Sequence, residues 1–423
     1  MSNIDLVRII LAFLAIAAAK FASANPSTKY RNLKCDNIKN TAELFDCAIS
    51  QRLDILRADA QVKIAEHGWR KFDQTPNPEL EADSSASISD GKSFGFNINY
   101  RQPILRGGKR KAQVELAKSE YILQKTGLEL AKFEAAKAIA ADLFSIFILK
   151  EEIENIEEMI SSYRKLIAIF GNRNALSPAA RISMDVFRLA LYESEINLKA
   201  RKDQLIAHYN EFTELGISLA KISGLSPERW PEWPSISTIK GSNDLPNPQI
   251  DALNNRVSQA QNELSLEKSY AYQDISIGPL LAFENIDDSS SWGIGVSIEM
   301  SLPVNNKNEG GVRASLEKLN ANQDFASKAN TIFQRKLKNL LDRYSVLLTS
   351  INSLPSEEYI NSAHRRLERE AQNGLIEASL IIEGHEQGFK LLESRNQFKL
   401  QILEVLSEIY TLKGKSLKEL FQI

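Results

Sequence analysis

The residues of this chain with chemistry to offer are four histidines, two cysteines and one Gly-Gly-Lys run. His67, His208, His364 and His385 are scattered, and none stands in a ligand spacing such as His-Glu-x-x-His, so the spacing predicts no metal site. His385 adjoins Glu386 on an expected helix, an arrangement that reads as a solvated pair. Gly107-Gly108-Lys109 has the residue types of a phosphate loop, but the Gly-x-x-x-x-Gly-Lys-Ser/Thr spacing that wraps a phosphate is missing. No catalytic constellation emerges, so the reading is a protein that is not an enzyme and takes no cofactor.

Cys35 and Cys47 are close in sequence. In an exported chain, two such cysteines read as one local disulfide. Metal binding is the weaker reading, since neither has a second Cys or a His nearby. Leu33-Lys34-Cys35 places a lysine where a lipid-anchor signal needs a small residue. Export itself is read from the start of the chain. Arg8 closes a short charged region, Ile9 to Ala19 are apolar, and Ala22-Ser23-Ala24 offers a cleavage site before Asn25. Residues 1–24 are therefore expected to be a signal peptide; the alternative is an uncleaved anchor helix. No later segment approaches the length of apolar run that a membrane helix requires. Lys and Arg number 52 against 54 Asp and Glu, for a net charge of -2, so phosphate attraction to nucleic acid is not favoured.

The elements that would position these residues occur twice. Each copy is expected to have a helix, a β-hairpin and a long helical hairpin, over residues 25–240 and 241–423 with a connector between. In the first, an apolar face of Leu44, Ala48, Leu53, Leu56, Ala60 and Ile64 predicts a helix from Thr41 to about Trp69, with Thr41 as its cap. Phe94, Phe96, Ile98 and Tyr100 alternate with Gly95, Asn97 and Asn99, as in a strand with one apolar face. Its partner falls within Thr75 to Ser89, where alternation is weak. In the second copy, Ile275 to Phe283 predicts one strand and Asn285 to Ser291 its turn. The return strand sets Trp292, Ile294, Val296, Ile298, Met300 and Leu302 against Gly293, Gly295, Ser297, Glu299 and Ser301. Bulky apolar residues on one side and small or polar ones on the other suit a membrane barrel, with Phe94, Tyr100, Phe283 and Trp292 as interfacial aromatics.

From Lys109 to about Phe170 there is no proline and Gly127 is the only glycine. Leu116, Leu123, Leu130, Ala138, Phe144, Ile148 and Ile156 recur near the spacing of packed long helices. A return helix is expected from about Met184 to Ser223. The second copy repeats the pattern from about Val312 to Gln372, with a kink or break at Pro355, and returns through Leu380 to Leu412. Gly224 to Pro248, rich in Pro and Trp, reads as an irregular connector around the middle of the helices.

The order of these signals resembles the outer-membrane efflux protein family, the TolC-like channels, and within it the CusC/CzcC-type branch. The resemblance lies in Asn247-Pro248-Gln249-Ile250-Asp251-Ala252-Leu253 leading to Asp274-Ile275, and in the Gly-bearing strand from Trp292. It continues through Leu302-Pro303-Val304 before Gly310-Gly311, then Asn373-Gly374-Leu375-Ile376-Glu377-Ala378-Ser379 and Leu391-Leu392-Glu393-Ser394-Arg395-Asn396.

The resemblance implies a mainly α fold with a small β contribution. Long helical hairpins would form a periplasmic α-barrel, and four strands per subunit would complete a twelve-stranded transmembrane β-barrel in a homotrimer. It implies an outer-membrane channel of a tripartite efflux or type I secretion system, a passive conduit in contact with outer-membrane lipid. Its partners would be a periplasmic adaptor (a membrane fusion protein) and an inner-membrane transporter. Gly171, Asn172, Ser177, Gly374 and Leu375 would then lie at adaptor-docking tips, and Glu377 and Glu383 are the nearest acidic candidates for the constriction. The residues alone also fit an exported coiled-coil tether of the periplasm.

Overall fold

A computed structural model describes residues 35, 38, 40–87, 93–171, 178–218, 222, 233–241, 247–286, 289–302, 304, 307–372 and 376–417. The expected signal peptide and the turns at 172–177 and 373–375 lie outside them. Two helices, α1 (Thr41–Gln51) and α2 (Leu53–Gly68), precede strands β1 (Glu79–Ser87) and β2 (Ser93–Ile104). The long helix α3 (Lys109–Gly171) and its return α4 (Pro178–Glu214) follow, then the short α5 (Ile236–Gly241). The second copy comprises α6 (Pro248–Ser269), β3 (Ile275–Ile286), β4 (Ser289–Met300), α7 (Glu309–Ser353), α8 (Glu357–Gln372) and α9 (Ala378–Leu412).

Several expected boundaries move. The helix predicted over Thr41 to Trp69 is broken at Arg52, whose ψ of 135° is extended. Asn40, not Thr41, is its cap: the Asn40 Oδ1 accepts from the Glu43 N–H at 2.8 Å. The break resets the helical phase, so Leu53, Leu56 and Ile64 are exposed, while Ile55 packs with Leu128 and Ala135 of α3. The first return helix begins at Pro178, earlier than Met184, where proline's fixed φ suits a first turn. It ends at Glu214, ahead of the expected Ser223. In the second hairpin the strands extend through Ile286 and from Ser289, absorbing most of the expected turn.

With 63 residues, α3 is about 95 Å long at the usual rise per residue. Gly107 and Gly108 carry the chain from β2 into it with φ of 64° and 76°, the left-handed values that glycine adopts freely. The Lys109 Nζ donates to the Asp274 Oδ1 at 2.8 Å, and the same oxygen accepts from the Arg106 N–H at 3.1 Å. Asp274 lies just before β3, so one carboxylate ties the strand-to-helix transition of the first copy to the helix-to-strand transition of the second. The connector packs on the helices. Trp233 lies 6.3 Å from Phe144, the Tyr344 hydroxyl donates to the Pro234 carbonyl, and the Lys413 Nζ donates to the Ile239 carbonyl.

The core runs along α3 and α9, where Leu143, Phe144, Ile146, Ile402, Leu406 and Ile409 are almost fully buried. A polar cluster crosses it. The Arg201 Nε on α4 lies 3.2 Å from the Glu152 Oε2 on α3, and the Arg201 Nη2 bonds the Glu393 carboxylate on α9. The Asn396 Nδ2 donates to the Glu152 Oε1 at 3.3 Å. Burial pushes the Glu152 pKa up, and Arg201 and the Asn396 hydrogen bond hold it partly back down. Replacing Arg201 by Ala leaves a buried carboxylate short of its cation, and should cost about 2 kcal/mol near neutral pH after allowing for the partial exposure of the arginine. Because the folded-state pKa of Glu152 lies above its unfolded value, the folded state holds the extra proton at low pH, and its stability falls as pH rises through that window. The Arg201→Ala deficit should therefore shrink from pH 7 to pH 5, measured as thermal midpoints of variant and parent in detergent; an equal deficit at both would exclude the ionic account.

Candidate functional site

The four strands form one antiparallel sheet in the order β1-β2-β3-β4. The pairings align Ala82, Ile98, Leu281 and Ile294 in one row and Ser84, Phe96, Phe283 and Trp292 in the next. Strand residues alternate faces, so one face of the whole sheet is apolar: Leu80 on β1, Phe94 to Tyr100 on β2, Ile277 and Leu281 on β3, and Trp292 to Met300 on β4. Trp292, Ile294, Val296 and Ile298 are between 65% and 87% exposed. Phe283 and Trp292 pair across strands with ring centroids 4.8 Å apart.

The opposite face carries Glu81, Asp83, Asn97, Asn99, Glu284 and Glu299. Arg101 on β2 bonds both Glu81 on β1 and Glu299 on β4. Gly278 lies opposite Arg101 in the register, where a Cβ would stand 1.7 Å from the Tyr100 carbonyl oxygen. The neighbouring Pro279 has no N–H to donate, and the β2–β3 pairing lapses at Tyr100 and Arg101. Among the described residues, β1 and β4 each pair on one side only.

The far ends of the helices meet. Tyr163 and Leu166 of α3, Phe187 and Ala190 of α4, and Ala378 and Ile381 of α9 form one buried cluster, with Phe170 and Ile376 packed against it. The ends of both helical hairpins thus lie side by side. Of the tip residues suggested by sequence, Gly171 is exposed at the end of α3, while Asn172, Ser177, Gly374 and Leu375 lie outside the described residues. Glu377 caps α9 with extended backbone and makes no side-chain cap hydrogen bond. Glu377 and Glu383 are exposed, as is Leu380. Neither Cys35 nor Cys47 is a free thiol.

Behind this cluster the structure joins residues that sequence spacing left apart. His364 and Glu368 stand one turn apart on α8, with the His364 Nε2 3.4 Å from the Glu368 Oε1. His385 of α9 stacks on His364 with ring centroids 4.6 Å apart. It is 2% exposed and also lies against the Tyr163 ring. The His-x-x-x-Glu spacing on α8 was the one available signal, and it gave no hint of the third residue.

The two remaining histidines stay apart from this group. The His208 Nδ1 lies 3.1 Å from the Asp142 Oδ1, and His67 is exposed in the last turn of α2.

No protein-family model matches this chain, and no curated protein matches it. Solved structures do. The outer membrane protein VceC of Vibrio cholerae superposes with a TM-score of 0.68 at 14% identity, over 88% of this chain and 95% of that one. The CmeC outer membrane channel of Campylobacter jejuni gives 0.68 at 13% identity, over 88% and 85%. CusC, described through the conformational changes that accompany transmembrane channel formation, gives 0.67 at 14% identity, over 88% and 91%. Long paired helices and a four-stranded antiparallel sheet, in this order and over nearly nine-tenths of the chain, are the fold of the TolC-like outer-membrane channels.

Proposed function

We propose that the mature chain is one subunit of a homotrimeric outer-membrane conduit for efflux or secretion. Its strands cross the outer membrane and its helices extend into the periplasm. The observation that carries this reading is the sheet: one strand of 9 residues and three of 12, an exposed apolar face, a polar face opposite, and two edge strands that pair on one side only among the described residues. A strand of about 9–11 tilted residues suffices to cross the hydrocarbon. Open edges are untenable there, so copies of the sheet join edge to edge into a shared twelve-stranded barrel.

The helices support the same assembly. Ile182, Leu189, Tyr192, Ile196 and Ile206 make an exposed apolar stripe along α4, and Phe325, Ile332 and Val346, at spacings of 7 and 14 residues, make another along α7. Stripes of this length on long helices call for helices of a neighbouring subunit. Residues 1–24 serve as the export signal, and 25–240 and 241–423 as the two repeats around the pore. The conduit is passive and catalyses nothing. At the paired helical ends it docks a periplasmic adaptor, which links it to an inner-membrane transporter.

The mature protein recovered from outer membranes should have the mass of a trimer once bound detergent is subtracted; a detergent-independent monomer would sink this reading and favour a periplasmic tether. Ile294→Arg, on the apolar face near mid-strand, should cost about 2–4 kcal/mol of membrane stability and lower the recovered trimer, whereas Ser297→Arg on the polar face should leave the yield near that of the parent.

Glu377 and Glu383, repeated by three-fold symmetry, make an acidic ring that attracts cations at the constriction. Neutralising both to Gln should lower the cation preference of single channels in planar bilayers, and an unchanged reversal potential would place these carboxylates outside the pore. We further propose that Cys35 and Cys47 bond to each other. Neither should then react with a thiol alkylator in unfolded protein until a reductant is added, and both should react afterwards.

A further inference from the structure

Where α8 packs on α9, α9 presents Gly384 to Leu367 and Gly388 to Ile360. A Cβ on Gly384 would stand 2.5 Å from the Leu367 Cδ1, so the two helices approach closely at this level. That approach lays the His364 ring on the His385 ring. Both ring nitrogens of His385 lack a hydrogen-bond partner, although the side chain is buried. A buried polar group in that condition costs stability and calls for a missing partner. One ligand atom from each of His364, Glu368 and His385 lies within 4.8 Å of the other two. His364 and His385 also line a cavity of about 260 Å³, together with Glu151, Asn155 and Tyr359.

We propose that His364, Glu368 and His385 bind one divalent transition-metal ion, best matched by zinc, which pins α8 to α9 just behind the helical tips. Two imidazoles and a carboxylate form a donor set that suits zinc, copper or nickel and disfavours magnesium and calcium, which seek all-oxygen shells. Three protein ligands leave one position of a tetrahedral ion for water. At zinc–ligand distances near 2.0–2.1 Å, neighbouring ligand atoms are about 3.3 Å apart, so the three side chains must close inward by modest rotamer changes. His364 and Glu368 are half-buried and have room to make them. A metal takes the neutral imidazole, the form that burial of His385 favours. The ion would supply His385 with its absent partner and fix α8, which is otherwise joined to α7 only through the break at Pro355. The site requires only the α8–α9 pair, and would stand even if the chain lined no channel.

The test uses the full-length mature protein, purified in detergent without a histidine tag and stripped with a chelator. Zinc is titrated in by equilibrium dialysis, with the bound metal counted by mass spectrometry. One zinc per chain is expected, with affinity at least about tenfold weaker in His364→Ala and in Glu368→Gln. Both variants keep the buried His385, and far-ultraviolet circular dichroism checks that each is folded. The control His67→Ala/His208→Ala should bind as the parent does. Cobalt(II) in place of zinc should give the intense visible absorption of a tetrahedral ion, lost in His364→Ala. No zinc retained by the folded parent, or the same stoichiometry and affinity in His364→Ala, would overturn the proposal and assign the cavity to water.

Discussion

A backbone N–H or C=O left without a partner in hydrocarbon costs several kcal/mol, and among the described residues both outer strands of this sheet, β1 and β4, pair along one edge only. The apolar face would be drawn to lipid while the edges forbid the sheet from lying there alone. Only closure with further strands removes that conflict. The repeat makes such closure feasible, because each copy contributes one hairpin and the two hairpins pair through β2 and β3. The Lys109–Asp274 pair then fixes the start of α3 beside the junction that leads into β3, so sheet and helices keep a common register.

The helical part meets a different constraint. Helices this long cannot be held by a compact core, and burial is instead spread along α3 and α9. Where the polar cluster of Arg201, Glu152, Glu393 and Asn396 crosses that core, it joins α3, α4 and α9 at one level. The break at Pro355 is handled locally. Proline cannot continue the helical bonding, and the Arg395 guanidinium of α9 donates to the Pro355 carbonyl that the break leaves open. The break separates α8 from the long run of α7 and lets it follow α9 to the tip, where Gly384 and Gly388 admit its approach.

Some of this was legible in residue order. The alternation of Trp292 to Met300 against Gly293 to Glu299 marked both faces of β4, because strand side chains project with a period of two whatever lies next to them. The proline-free run from Lys109 marked α3 to within a residue, and Pro355 marked the end of α7. The limits of β1 were less legible. Its residues on the apolar face are Leu80, Ala82, Ser84 and Ala86 and those on the polar face Glu79, Glu81, Asp83 and Ser85, and the serines and alanines carry little hydropathy contrast. The apparent helix face from Leu44 to Ile64 failed for another reason: a single extended ψ at Arg52 resets the helical phase, and periodicity alone does not register it.

By itself, then, the sequence determined the period, length and faces of its elements, since these depend on neighbours a few residues away. Which face meets which partner was decided by the tertiary structure. His364 and His385 sit on different helices, α8 and α9, and no spacing rule spans the interval between them. They meet because glycines let α9 come close to α8 at one level, and because the break at Pro355 sets the level. The same holds for Arg201, whose partners come from two other helices. Packing across segments depends on the summed shape of many side chains, and that sum exists only once the chain has folded.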